Sequence, residues 1–309
     1  MQKFLKYTFV SIIIISALSL AGCNGCQKQN DTINIPQNIT YQEDTEIYVA
    51  NKAIVDKIVN SFPSPVEVAA IIKNLDVPFS KKYLASPDII DNYDTNLKKA
   101  LGLGVLSADL GYLNVYERTT LIVQYLSSIK RLADDLRIGQ FFDFQTLKRL
   151  ATSNDNLDSL IFLSLNSFME MNQYLQQNAR GNLSLLMITG VWIESLYLMT
   201  QVYKDQPDDK LRELIGDQKT LFTILYQGLK LYKGDEYFDK ILHEFQKLDK
   251  IYSQITITYE KVKPKNKTNV NDSIPVYEQE ETSVIHMSDQ QLKDLINITE
   301  QVRNKLINL

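Results

Sequence analysis

Histidine and cysteine are almost missing from this chain, with 2 of each in 309 residues. That scarcity excludes His-rich and Cys-rich metal sites. Helix breakers are scarce as well, with 11 Gly and 8 Pro in all. So few breakers, among abundant Leu, Ile, Lys, Gln and Asn, favour helices over turn-rich β-structure. There is no basic excess either. Against 37 acidic residues stand 33 basic ones, a formal net charge of −4, which leaves no footprint for nucleic acid. A hydrophobic fraction of 44% and a charged fraction of 23% are those of an ordinary globular chain, long enough for one or two domains.

The first residues carry the most specific signal. Lys3 and Lys6 precede an uncharged apolar stretch from Tyr7 to Ala21, centred on Ile12-Ile13-Ile14-Ile15. The stretch is short for a transmembrane helix and has the length of a signal-peptide core. It ends in Leu20-Ala21-Gly22-Cys23. This tetrapeptide resembles the lipobox of bacterial lipoproteins. The resemblance implies cleavage between Gly22 and Cys23, a diacylglycerol on the Cys23 thiol and acylation of the new amine. Three acyl chains exceed the two signals that stable anchoring needs. The bland alternative is a plain signal peptide with an incidental Cys.

Removing Lys3 and Lys6 with that peptide shifts the net charge from −4 to −6. Asn24, not Asp, follows Cys23, so the chain lacks what resembles an inner-membrane retention signal in enterobacteria. The next residues also lack the acidic run that resembles a surface-export signal in Bacteroidota lipoproteins. The expectation is an outer-membrane anchor on the periplasmic face. Cys26 is then a spare thiol or a partner for a second chain. Asp31-Thr32-Ile33, Asp158-Ser159-Leu160 and Asp272-Ser273-Ile274 look like the O-glycosylation tripeptides of Bacteroidota envelope proteins.

Five segments follow: a signal peptide over 1–22, a flexible tether over 23–42, a helical domain over 43–259, a polar linker over 260–287 and a C-terminal helix over 288–309 that docks on the body. Pro65 is placed to open the second helix. Residues 76–94, with Pro78 and Pro87, read as a loop holding one short helix. Repeated i, i+3/i+4 stripes then mark helix after helix, among them Ile122-Tyr125-Leu126-Ile129 and Phe238-Ile241-Leu242-Phe245. Short breaks make consecutive helices antiparallel neighbours. The expected fold is all-α, an array of eight to ten mostly antiparallel helices, either a helical bundle or an irregular α-α repeat. Residues 253–259 alternate like a strand but also extend a helical stripe, and their first half is read as helix. Ser288-Asp289 caps the last helix.

Two acids stand alone in apolar helices. Asp109 is the only charged residue between Lys99 and Glu117, and Glu194 the only one between Arg180 and Lys204. Helices apolar on all faces are central, and a buried carboxylate needs a partner, a raised pKa or a wet cavity. The sites resemble each other. A Tyr follows each acid by three residues, Tyr112 and Tyr197, and Gly104 and Gly190 lie shortly before, where small residues permit close helix contact. One reading is a central polar pocket of Asp109, Tyr112, Trp192, Glu194 and Tyr197 that binds a ligand. The other is a buried structural network, with the acids held by Tyr hydroxyls, helix amides, Arg118 or Arg131.

No other chemistry is signalled. His243-Glu244 lacks the second His of a zinc-protease helix, and Gly102-Leu-Gly104 lacks the third Gly of a dinucleotide fingerprint. The sequence therefore assigns no catalytic residue, no cofactor and no metal. Architecture and Lys/Asn/Ile-rich composition resemble helical lipoproteins of a Bacteroidota-type envelope. The leading expectation is a non-catalytic lipoprotein that displays a helical binding domain. Its partners would be the membrane, through the acylated N-terminus, and another envelope protein or a small ligand. Two alternatives stay open: an envelope hydrolase using Asp109 and Glu194, and a carrier of an apolar ligand.

Overall fold

The structure is a computed structural model that describes residues 45–61, 65–152, 157–261 and 281–309. The signal peptide, the lipobox, the tether with Cys26 and most of the 260–287 linker lie outside the described residues. So do two of the three tripeptides; Ser159 of the remaining one is exposed.

The fold is all-α. Ten α-helices occur among the described residues: α1 (Thr45–Ser61), α2 (Pro65–Asn74), α3 (Asn96–Val115), α4 (Thr119–Asp135), α5 (Phe144–Thr152), α6 (Leu157–Gln177), α7 (Gly181–Asp205), α8 (Asp209–Lys230), α9 (Glu236–Tyr252) and α10 (Asp289–Leu306). Side chains cap several of them. Thr95 accepts from the Lys98 amide, Asp208 from Leu211, and Asp235 from Tyr237 and Phe238. Ser288 and Gln291 form a reciprocal capping box that starts α10. Pro65 is the first residue of α2, where its missing N–H leaves no bond unmade.

The turns explain how a glycine-poor chain folds back so often. Asp76, Glu117, Arg137 and Ala179 end α2, α3, α4 and α6 with φ of 55°, 56°, 57° and 52°. Three of these ends also close a six-residue hydrogen bond, from Arg118 to Leu113, Ile138 to Ala133 and Arg180 to Leu175. The left-handed residue that usually falls to glycine is supplied by ordinary side chains.

Each helix from α2 to α9 packs on its successor, as short connections require. The centre is the pair α3 and α7. Gly104 and Gly190 meet where the two cross. A Cβ on Gly104 would lie 2.0 Å from the Met187 carbonyl oxygen, and one on Gly190 would lie 2.1 Å from that of Leu101. Each glycine thus sits over the carbonyl three residues before the other. Asp109 and Glu194 interact on the C-terminal side of this crossing. Opposed helices would hold those positions about 13 Å apart along the axis, so α3 and α7 run the same way here. α7 is long and apolar enough to span a bilayer, but its most apolar 18-residue window is 100% buried within the fold. It is a core helix.

Around this pair lie α2, α4, α6, α8 and α10. A strap of residues 77–95 runs between α2 and α3 and holds two short 3-10 turns instead of the one short helix expected. The other departure follows α9. Helix stops at Tyr252, and β1 (Thr256–Lys261) pairs antiparallel with β2 (Glu281–His286), Thr256 opposite His286 and Lys261 opposite Glu281. The boundary expected between domain and linker at 259/260 therefore falls inside β1, and residues 281–286 of the expected linker are a strand. Ile285 packs on Gly216 of α8, which holds the hairpin to the body.

Candidate functional site

Asp109 on α3 and Glu194 on α7 both have 0% exposure. They lie just beyond the Gly104–Gly190 crossing, so close backbone contact sets the distance between their side chains. Glu194 is gripped by Arg303 of α10. Arg303 Nε donates to Oε2 at 2.8 Å and Nη2 to Oε1 at 2.6 Å, a bidentate bond between groups 109 residues apart. The guanidinium carbon also lies 4.5 Å from the centroid of the Tyr197 ring, in cation–π geometry. Burial alone would lower the Arg303 pKa, but the charge and hydrogen bonds of Glu194 outweigh it and hold it raised.

Asp109 is bound differently. Its Oδ2 accepts from the Ala85 N–H of the strap at 2.9 Å. Its Oδ1 is buried without a donor, and the Glu194 carboxyl is a close neighbour of the group. Burial, and then the Glu194 charge, push the Asp109 pKa well above the usual carboxylate range. Arg303 and the Ala85 amide pull it only partly back.

The strap closes over this cluster. Tyr125 of α4 donates its hydroxyl to the Ala85 carbonyl, so the two peptide groups on either side of this residue are both held. Tyr93 donates to the Ile307 carbonyl at the end of α10, at 3.5 Å. Burial raises the pKa of both hydroxyls and keeps them neutral donors.

The five residues singled out in the sequence therefore separate into three places. Asp109, Glu194 and Tyr197 come together around Arg303. Tyr112 lies one turn beyond Asp109 but serves the strap: its hydroxyl accepts the Ser80 N–H at 3.1 Å, and its ring stacks on Phe79 with centroids 5.6 Å apart. Trp192 belongs to another cluster, packed on Phe222 of α8 and Phe245 of α9. The acid-x-x-Tyr pairs thus do parallel work. Asp109 and Tyr112 hold two strap amides, and Glu194 and Tyr197 hold one arginine by its edge and its face.

Neither basic residue suggested as a partner fills that role. Arg118 stacks on Phe79, and Arg131 pairs with Asp91 at the surface. The partner is Arg303, which sequence reasoning missed. Its signal was position: Leu292, Leu295, Ile296, Thr299, Val302, Arg303 and Leu306 form one buried stripe, with a cation inside it. His243 is exposed, Glu244 pairs with Lys247, and Gly104 of Gly102-Leu-Gly104 makes the helix crossing. Among the described residues no group of three or more His, Cys, Asp or Glu is placed to hold a metal ion.

Chemically, the arrangement ties four segments together at one buried point. General acid–base or nucleophilic work by the acids needs a substrate path to them. In this conformation Asp109 Oδ2 is bound by Ala85, both Glu194 oxygens are bound by Arg303, and both side chains are fully buried. No known protein family, curated protein or solved structure matches this chain.

Proposed function

We propose that the chain is a bacterial lipoprotein, anchored through acylated Cys23 in the outer membrane on its periplasmic face. Its helical body acts as a non-catalytic module that binds another envelope protein or a small ligand. The anchor rests on Leu20-Ala21-Gly22-Cys23 behind a basic and then apolar leader. The observation that carries the non-catalytic reading is the zero exposure of Asp109 and Glu194, the strongest catalytic candidates, with Glu194 bound at both oxygens by Arg303. A two-carboxylate hydrolase leaves its acids open to substrate and water.

Two experiments test this. Labelled palmitate enters a band of the wild type and not of Cys23→Ala; equal labelling of both overturns the anchor. Crosslinking in intact cells captures partners with the wild type that the mislocalised Cys23→Ala does not. The same partners from both variants would remove the role of the membrane position. The hydrolase reading predicts activity that disappears in Asp109→Asn and Glu194→Gln while the fold persists.

A further inference from the structure

We propose that the Asp109–Glu194 pair holds a single proton, and that losing it opens the seam between the 77–95 strap and the C-terminal end of α10. The argument begins with charge. Two buried carboxyl groups face one cation, Arg303, and that cation is already committed to both oxygens of Glu194. With one proton the cluster is neutral. Without it, a second anion is enclosed beside the first, with Asp109 Oδ1 lacking any donor.

No other group facing the cluster can absorb that charge. The strap contributes Tyr93, α3 Tyr112, α4 Tyr125, α7 Tyr197 and α9 Tyr237, all with hydroxyl pKa raised by burial, so none supplies a charge. The remaining charged neighbours lie one residue further out: Arg118 acts on Tyr112 and is stacked on Phe79. Asp88 of the strap acts on Tyr125, and Glu300 of α10 acts on Tyr197 and is paired with Lys204. Relief must come from water.

The route for water follows from which contacts can yield. α3 and α7 leave no gap for water at their crossing, because Gly104 and Gly190 lie backbone to backbone. The Ala85 N–H bond strengthens when Asp109 ionises, so that end of the strap stays attached. What remains is the Tyr93 hydroxyl on the Ile307 carbonyl at 3.5 Å, the longest bond around the cluster and the one joining strap to α10. Ile307 and Asn308 cap the α10 end, and Asn308 is exposed. The seam therefore reaches the surface beside Asn308.

The test is amide hydrogen exchange of the full-length protein between pH 5 and pH 9, corrected for intrinsic rates, for wild type and Asp109→Asn. Asparagine mimics the protonated acid, accepting from Ala85 and donating to Glu194. In the wild type, peptides covering 86–95 and 300–309 exchange faster as pH rises, by up to about tenfold per pH unit while the closed state keeps the proton and the open state has lost it. Peptides covering 101–108 and 187–193 do not change. In Asp109→Asn the seam peptides show no rise. An equal rise in both proteins, or none in the wild type, overturns the proposal. Infrared spectra give a readout independent of the variant: the wild type retains a protonated-carboxyl band at pH 6. Its absence there also overturns the proposal.

Discussion

Gly104 and Gly190 lie against each other so closely that each occupies the space where the other helix's backbone carbonyl would meet a side chain. A methyl group on Gly104 would fall 2.0 Å from the Met187 oxygen, and that oxygen cannot move without shifting α7. Helix propensity alone predicts that Gly→Ala gains up to about 1 kcal/mol inside a helix. The contact reverses the sign. Gly104→Ala and Gly190→Ala each lose about 3 kcal/mol, the upper end of overpacking costs. Urea unfolding reads the sign directly, and a gain in either variant would show that the crossing is loose.

The Glu194–Arg303 bond supplies a second expectation. Removing one partner of a buried ion pair typically costs about 3–5 kcal/mol, because the other charge is stranded. Arg303→Met strands Glu194 beside Asp109 and takes the whole of that cost. Glu194→Gln costs less, since Asp109 can then release its proton and balance Arg303. The ranking in urea unfolding checks this. Equal losses would mean that Asp109 does not share the charge of the site.

The centre of the fold was legible because Asp109 and Glu194 each interrupt a long uncharged helix, and because a glycine precedes each by about one turn. Arg303 was not, because most other charges on α10 face solvent and its partner lies 109 residues away. Ala85 could not be found at all: it acts through its amide and carbonyl, which no side-chain pattern reports. The β1–β2 pairing was hidden for a third reason. Residues 253–259 fit a strand and a helix stripe alike, and the partner strand that decides between them lies beyond a long polar stretch. The helix ends at Glu117 and Ala179 show the reverse case, turns without the glycine that usually announces them.

Stability should carry the mark of the shared proton. Unfolding returns Asp109 from a raised pKa to the ordinary value of 3.8, so above that pH the folded state binds the extra proton. The sign follows: its stabilisation is complete below about pH 4 and is lost as pH rises toward the folded pKa. Within that window wild type loses up to about 1.4 kcal/mol per pH unit relative to Asp109→Asn. Unfolding free energies of the two proteins at pH 4, 5, 6 and 7 test the slope. Parallel curves would place the proton elsewhere.

Ala179 holds φ at 52° after α6 with no side-chain function to justify it. An alanine in the left-handed region costs about 1–2 kcal/mol, and glycine avoids that while adding entropy to the unfolded chain. Ala179→Gly should therefore raise stability by about 0.5–1 kcal/mol. Glu117→Gly gains less, since its carboxylate also lies 3.6 Å from Lys73. Thermal unfolding of both variants checks the order.

Two of the strap's attachments differ in kind, and their ranking tests whether burial decides their worth. Arg131 binds Asp91 at 2.7 Å, but both side chains are more than half exposed, at 59% and 62%. Such a pair is worth about 0–1 kcal/mol, so Arg131→Ala should hardly move the unfolding midpoint. Tyr125 donates to Ala85 from within the core, where both groups are cut off from water. Tyr125→Phe leaves the Ala85 carbonyl buried and unpaired, a loss of about 1–3 kcal/mol. The same residue's N–H holds Asp109, so the damage reaches further than one bond. Tyr125→Phe should also speed amide exchange across 80–95, while Arg131→Ala leaves it unchanged. A larger loss for Arg131→Ala would mean that the strap is held from its surface rather than through Ala85.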